Sequence, residues 1–396
     1  MIVLESVRRH LKIVGCLPIY KWNLPIWCNH VYIGLIFLLL ILYLVLTSCF
    51  FTFDTKTFID LWETTFWTSR SVLSLILYYE FIRNRKELIQ FIDDLKAIVN
   101  ERRKKTHVLF EIYDQINKTS KLMPKYIAIF LFRIAPIAYV LPIVVNSYYK
   151  YYNFNYSSES FQLFYPTALP FNWKTPIGYT FAVAFQLLTF LGVLELFLAF
   201  IAIYIGICQY AMAFADDIEE NIQDLNNDVE YCNRNCAAPK QTEIRKKLRD
   251  IVAFHSRSVQ FVSKFSTFYK KFTSIFFIIT SFYLCIFFLR LQTDIYAWDF
   301  LNILRSIVRI VGWIVGFFFI CRFGDQVTIR FQNIGKSLEK HQETLDFSDE
   351  CSAMIKMAQK PIHLYGCFNV RCIEANFRMM MYMAFSSFIV MKAIIR

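Results

Sequence analysis

Glycine is scarce in this chain, with 10 residues in 396. Phosphate cradles are built from glycine-rich turns that open a helix, and no such turn is present. Nucleotide-dependent chemistry is thereby set aside. The six histidines (His10, His30, His107, His255, His341 and His363) are scattered without paired spacing, and no His-Glu-x-x-His occurs. Cys232 and Cys236 form a lone Cys-x-x-x-Cys with no histidine near them, whereas a zinc site needs four ligands. Neither catalysis, a metal nor a cofactor is expected. Charge is thin too: 19% of residues are Asp, Glu, Lys or Arg, against 56% hydrophobic and 18% aromatic. A soluble chain of this length would not conceal so much Phe, Leu and Ile. Alternating short strands of a transmembrane barrel are missing, as are the internal repeats and matched broken helices of a secondary transporter.

What is present is a series of long apolar runs, the pattern of an all-α polytopic membrane protein. The opening, MIVLESVRRHLKIVGCLP, lacks an apolar core followed by a small-residue cleavage site and reads as a short amphipathic helix on the cytoplasmic surface. Seven transmembrane helices are predicted, at about residues 31–53, 60–81, 125–148, 177–208, 272–291, 300–321 and 365–392. Span 1 is the plainest, with 23 uncharged residues from Val31 to Phe53. Basic or acidic helical patterns continue several spans into the cytosol, so an anchor is predicted from about 209–271 and 322–364. Residues 149–176, rich in Tyr, Ser, Asn and Pro, are predicted as the longest loop, and 292–299 as a tight turn. The cysteines fall mostly in spans or cytoplasmic loops and are read as free thiols.

Orientation follows from charge. With the N-terminus inside, cytoplasmic segments carry 31 Lys and Arg, and outer segments carry 5. By the positive-inside rule the N-terminus is cytoplasmic and the C-terminus extracellular. The sequon at Asn155 then faces outward, as glycosylation requires. A G-protein-coupled receptor would have the reverse orientation, with Asp-Arg-Tyr after span 3 and Asn-Pro-x-x-Tyr in span 7; both motifs are absent.

The last span is unusually polar. Only 13 residues, Met379 to Met391, are uncharged. At 1.5 Å per residue that is about 20 Å, short of the roughly 30 Å hydrocarbon core. A helix continuing back through Arg378, Glu374 and Arg371 fits the wall of a pore better than a lipid-facing anchor. On a helical wheel Arg371, Glu374 and Arg378 share one side, expected to face protein, while Cys372, Asn376, Met383, Ser387 and Val390 form the opposite stripe. Asn376, Met383, Ser387 and Val390 are the candidate pore residues, small and polar below an apolar constriction. Packing between helices is the plainer alternative for Val390.

Several local patterns, in order along almost the whole chain, resemble the insect odorant receptor family. They are RRHLKIVGCLP at the start, ALPFNWKTPIGY before span 4, His255 before span 5, ICRFGDQV (Cys321, Phe323, Gly324) at the end of span 6, and MAQKP with FSSFIVMK around the last helix. The segment after CRFGDQV departs from the family, lacking its Ser-led helix and Trp. The long insertion of the odorant coreceptor is also absent, so the chain resembles a ligand-selective tuning subunit rather than that coreceptor. The resemblance implies a heterotetramer with the insect odorant coreceptor. It further implies a ligand-gated, non-selective cation channel in the plasma membrane of a sensory neuron dendrite, opened by a small volatile odorant. It places the last helix at the pore and Val390 at the gate. A gustatory-receptor-type homotetramer is the alternative.

A volatile ligand needs an apolar, aromatic pocket with few polar groups, and the family's lies in the outer half of the bundle. The candidates are Phe66, Trp67, Arg70 and Leu73 in span 2, Tyr139 and Ile143 in span 3, Tyr179, Phe181 and Phe185 in span 4, and Tyr283 and Phe287 in span 5. Trp62 and Tyr148 are read as interface-belt residues. Arg70, about 15 Å deep by helix rise, is the odd member. A structural role facing tyrosine hydroxyls or carbonyls competes there with contact to ligand.

Overall fold

The computed structural model describes residues 11–15, 26–53, 58–105, 135–153, 161–235, 241–296, 298, 300–340, 356, 364 and 371–395. Asn155 and the first part of span 3, 125–134, lie outside these residues, as does the side chain of Tyr139. The described residues include eight helices: α1 (Ile26–Phe53), α2 (Phe58–Arg83), α3 (Arg85–Lys105), α4 (Ala135–Asn153), α5 (Pro176–Asn235), α6 (Gln241–Tyr296), α7 (Phe300–Lys340) and α8 (Glu374–Ile395). All-helical architecture is what an apolar solvent demands, because a helix satisfies its own backbone groups.

Three helices dominate. α5 runs for 60 residues, α6 for 56 and α7 for 41, each joining an apolar stretch to a charged one without a break. Pro176 opens α5 at the one helical position where a missing N–H costs nothing. α5 is the central element, almost wholly enclosed along its apolar part and packed against α1, α2, α6 and α7. α1, by contrast, is apolar on all sides and turns Val31, Leu35, Leu38 and Val45 outward. α1, α5, α6 and α7 are long and apolar enough to cross a membrane by length and composition. α2 interrupts its apolar residues with Glu63, Arg70 and Glu80.

α2 and α3 are nearly one rod. At Asn84 the backbone bonds continue, Asn84 N–H to the Glu80 carbonyl and Leu88 N–H to the Asn84 carbonyl, both at 3.0 Å. The α6–α7 connection is tighter than expected, because α6 persists through Tyr296. The chain then turns at Trp298, whose φ of 52° is unusual for a bulky residue.

The beginning of the last helix differs most from expectation. α8 starts at Glu374, while Arg371, Cys372 and Ile373 are non-helical. Arg371 and Cys372 therefore belong to neither face of a wheel. Cys372 is instead buried beside α7, its N–H bonded to the Leu364 carbonyl at 2.7 Å.

The helical extensions pack as a charged but well-sealed bundle. Arg102 of α3 donates from Nε and Nη2 to the Asp217 carboxylate of α5 at 2.9 and 2.6 Å. Asn221 Nδ2 donates to the same carboxylate at 2.6 Å, and the Arg102 guanidinium lies 4.2 Å from the Phe254 ring centre. His255 of α6 is fully buried near Phe331, and burial pushes its pKa down to about 4. It is therefore neutral at neutral pH.

Candidate functional site

In the half of the bundle remote from the helical extensions, α2 presents Phe66, Trp67, Arg70 and Leu73 inward, a spacing that keeps them on one face. All four are buried. Phe66 meets Tyr283 and Phe287 of α6 edge-on, with ring centres 4.7 and 4.8 Å away. Tyr283 in turn meets Trp313 of α7 at 5.0 Å, and Phe190 of α5 lies 6.4 Å from Trp67. Each such aromatic pair contributes about 0.5–1.5 kcal/mol beyond buried area. The structure thus gathers Phe66, Trp67, Arg70, Tyr283 and Phe287 into one aromatic cluster, with Leu73 on the same face of α2.

The other candidates fall elsewhere. Tyr179 is buried in a second cluster, stacked on Phe161 at 4.6 Å and edge-on to Tyr148 at 5.7 Å; its hydroxyl donates to the Gln162 carbonyl at 2.8 Å. Ile143 is buried on α4, and Phe185 is half-buried. Phe181 does not belong to the site: it is 68% exposed. The inward face of α5 here carries Tyr179, Ala182, Gln186 and Thr189, and Phe181 sits about 200° from Tyr179 on that helix.

One contributor was not a sequence candidate. The non-helical segment 161–175 enters the bundle, burying Phe161, Phe164, Tyr165 and Thr167. Gln186 of α5 holds its middle, and Ser147 and Tyr179 hold Gln162 at its start. Gln186 Nε2 donates to the Tyr165 carbonyl at 2.7 Å and to Thr167 Oγ1 at 2.8 Å, while Oε1 accepts from Phe164 N–H at 3.2 Å. Ala168 N–H reaches the Leu46 carbonyl of α1 at 3.1 Å. Tyr165 is thereby stacked on Trp67 at 4.7 Å and meets Tyr43 of α1 at 5.4 Å. A loop has no period to reveal an inward residue; the apolar-aromatic composition of FQLFYP was the available signal.

Charge is arranged around the aromatics. The Arg70 guanidinium lies 5.2 Å from the Trp67 ring centre and 5.1 Å from that of Phe190. Arg309 of α7 lies 5.8 Å from Phe66 and 5.6 Å from Trp67, and pairs with Glu63 of α2 at 3.2 Å. Glu63 also lies 3.6 Å from Arg290, which reaches Asp294 at 3.0 Å; Asp294 accepts from Ser306 Oγ at 2.8 Å.

α8 packs on α6 and α7 through Phe388 against Phe288 (5.9 Å) and Phe377 against Phe317 (5.5 Å). Its other side is open. Ala375, Arg378, Met379, Tyr382, Met383, Ser386 and Ser387 line a groove of about 600 Å³, and Val390 is exposed one turn further on. Met383, Ser387 and Val390 thus share the exposed side. Asn376 is occupied at the base, donating to the Arg371 carbonyl at 2.7 Å. Arg378 departs from expectation: it is exposed and lines the groove rather than facing protein. Glu374 is the charge that does face protein, paired with Arg322 of α7.

A bundle of long apolar helices with an enclosed aromatic cluster inside it and an open helix face on α8 is that of a multi-pass membrane receptor. Residues 57–381 match the family described as 7tm Odorant receptor, and the chain belongs to that family of channel receptors, which are not enzymes. The fold is similar to a solved structure of the insect olfactory receptor OR5 from Machilis hrabei in complex with eugenol. That likeness has a TM-score of 0.72 at 15% identity and covers 99% of this chain and 98% of the other. A second structure of the same receptor gives a TM-score of 0.69 at 15% identity, covering 98% of each chain. No curated protein sequence matches the chain.

Proposed function

We propose that this chain is the odorant-binding subunit of a heteromeric, ligand-gated, non-selective cation channel, working with the insect odorant coreceptor in the plasma membrane of a sensory dendrite. The observation that carries the reading is the enclosed cluster around Phe66, Trp67, Arg70, Tyr165, Tyr283 and Phe287, which has the composition a small volatile requires: ring faces with a few polar groups. The family match favours this reading over a gustatory receptor. With the N-terminus cytoplasmic, the cluster lies in the outer half of the membrane and the extensions of α5, α6 and α7 form the cytoplasmic anchor. The exposed side of α8, with Met383, Ser387 and Val390, then faces the axis of the assembly.

Gating is a population shift. A ligand that binds the open state better by a given factor moves the closed–open equilibrium by that factor, and no more. α8 joins the aromatic cluster to the pore directly, because it packs on α6, the helix that supplies Tyr283 and Phe287.

The test is cation current from cells expressing the chain with and without the coreceptor, challenged with a panel of volatiles. Volatile-evoked current only on co-expression is expected; current from the chain alone, evoked by sugars, overturns the assignment. In the same recordings Val390→Ala is expected to alter conductance, block or closed-state leak. A variant indistinguishable from the parent in all three removes Val390 from the pore.

A further inference from the structure

Among the described residues, the Arg70 guanidinium meets ring faces rather than an acceptor. It is 7% exposed, and its contacts among the described residues are with ring faces, those of Trp67 and Phe190. Its Nε is buried and makes no hydrogen bond. A charge sealed in this way is costly unless something completes it. The nearby hydroxyls turn their protons to other partners, and among the described residues none closes a hydrogen bond with the Arg70 Nε. Tyr43 donates to the Trp67 carbonyl at 3.5 Å. Ser69 Oγ gives its proton to the Phe66 carbonyl at 3.0 Å, so the Tyr283 hydroxyl, 3.0 Å away, donates to Ser69. Thr189 gives its proton to the Phe185 and Gln186 carbonyls, so the Tyr165 hydroxyl donates to Thr189. The nearest carboxylate on α2, Glu63, is held by Arg309 and Arg290.

We infer that the aromatic cluster opens as the odorant chamber and that Arg70 is its specificity determinant, selecting volatiles that carry a carbonyl or carboxylate oxygen on a short alkyl or single-ring body. This rests on the chamber being the odorant site. The rings of Phe66, Trp67, Tyr165 and Phe190 receive the apolar body, and the guanidinium donates to the oxygen. A hydrocarbon of the same shape gains the ring contacts but leaves the guanidinium without an acceptor, and so forfeits the larger part of the discrimination. A hydrogen bond to a charged donor corresponds to about tenfold or more in affinity. A carboxylate would also neutralise the charge and could engage the guanidinium fork with both oxygens.

The experiment uses matched probes, namely heptanoate, 2-heptanone and heptane, with benzoate, acetophenone and ethylbenzene. Each is applied to cells expressing the full chain with the coreceptor, and surface delivery is measured in parallel. The parent channel is expected to respond to at least one oxygenated member at a concentration tenfold or more below its hydrocarbon. Arg70→Met is expected to lose that margin while keeping any hydrocarbon response. If Arg70→Met does not reach the surface, Arg70→Lys, which keeps the charge but not the fork, is expected to lose several-fold in sensitivity to the carboxylate. Hydrocarbons as potent as their oxygenated partners, or an Arg70 variant with an unchanged oxygenate margin, would overturn the role of Arg70 and leave volatile gating standing. Silence to every probe, while a direct agonist of the coreceptor still opens the channel, would overturn the chamber as an odorant site as well.

Discussion

Asp217→Asn is expected to reduce surface delivery by tenfold or more and to lower the melting temperature of the detergent-solubilised protein. The Asp217 side chain is fully enclosed, and it receives both arms of Arg102 and the amide of Asn221. Removing one charge of a buried pair costs about 3–5 kcal/mol, because the partner is left sealed without compensation. Folded proteins have a margin of only about 5–15 kcal/mol. The double variant Arg102→Met, Asp217→Leu removes both charges and is expected to recover most of the loss, since the arginine stem already lies over Phe254. Normal delivery of the single variant would show that the pair does not hold α3 to α5. The surface pair Arg257–Glu101, with both side chains about half exposed, is a suitable comparison and should cost little.

Gly324→Ala is expected to abolish agonist-evoked current per delivered channel. A methyl group there would stand 2.5 Å from the Cys372 carbonyl oxygen, 2.8 Å from Cys372 Cβ and 2.9 Å from the Tyr204 hydroxyl. The tyrosine tip could swing aside, but the Cys372 backbone cannot do so without displacing the segment that leads into α8. Gly316→Ala, eight residues earlier on the same helix, meets only side-chain tips, Ile201 Cδ1 at 3.3 Å and Phe276 Cζ at 3.9 Å, and should be nearly silent. Parental current from the Gly324 variant would show that the base of α8 is free to shift.

Much of the architecture was legible because long helices write their period into sequence. The run-on of α5, α6 and α7 between apolar and charged residues is visible without coordinates, and so is the inward face of α2. The Gly324 of ICRFGDQV could be recognised as a motif, whereas its reason, the approach of Cys372 from far along the sequence, could not. Asp216 and Asp217 look alike in ADDIEENIQD. The first pairs with half-exposed Arg330 and the second is sealed against Arg102, because adjacent residues on a helix face about 100° apart. Phe181 was misplaced for the same reason: an aromatic in a membrane helix can face lipid as readily as protein. Tyr165 lay in a segment without period, where partners distant in sequence, Gln186 foremost, decide which residues turn inward.

The 60 residues of α5 make a rod about 90 Å long at 1.5 Å per residue. Beyond Pro176 it contains no proline, and none of its residues has a left-handed backbone. Such a rod has no internal joint at which to lose motion. Phe190 sits near one end and Asp217 well toward the other, so the helix acts as a lever whose fulcrum is the ion-paired anchor. About that fulcrum, roughly 40 Å along the helix from Phe190 at 1.5 Å per residue, a tilt of about 3° moves the ring by about 2 Å. The stroke available at the chamber is therefore set by how firmly the far end is clamped, and softening that clamp would lengthen the throw while blunting its force.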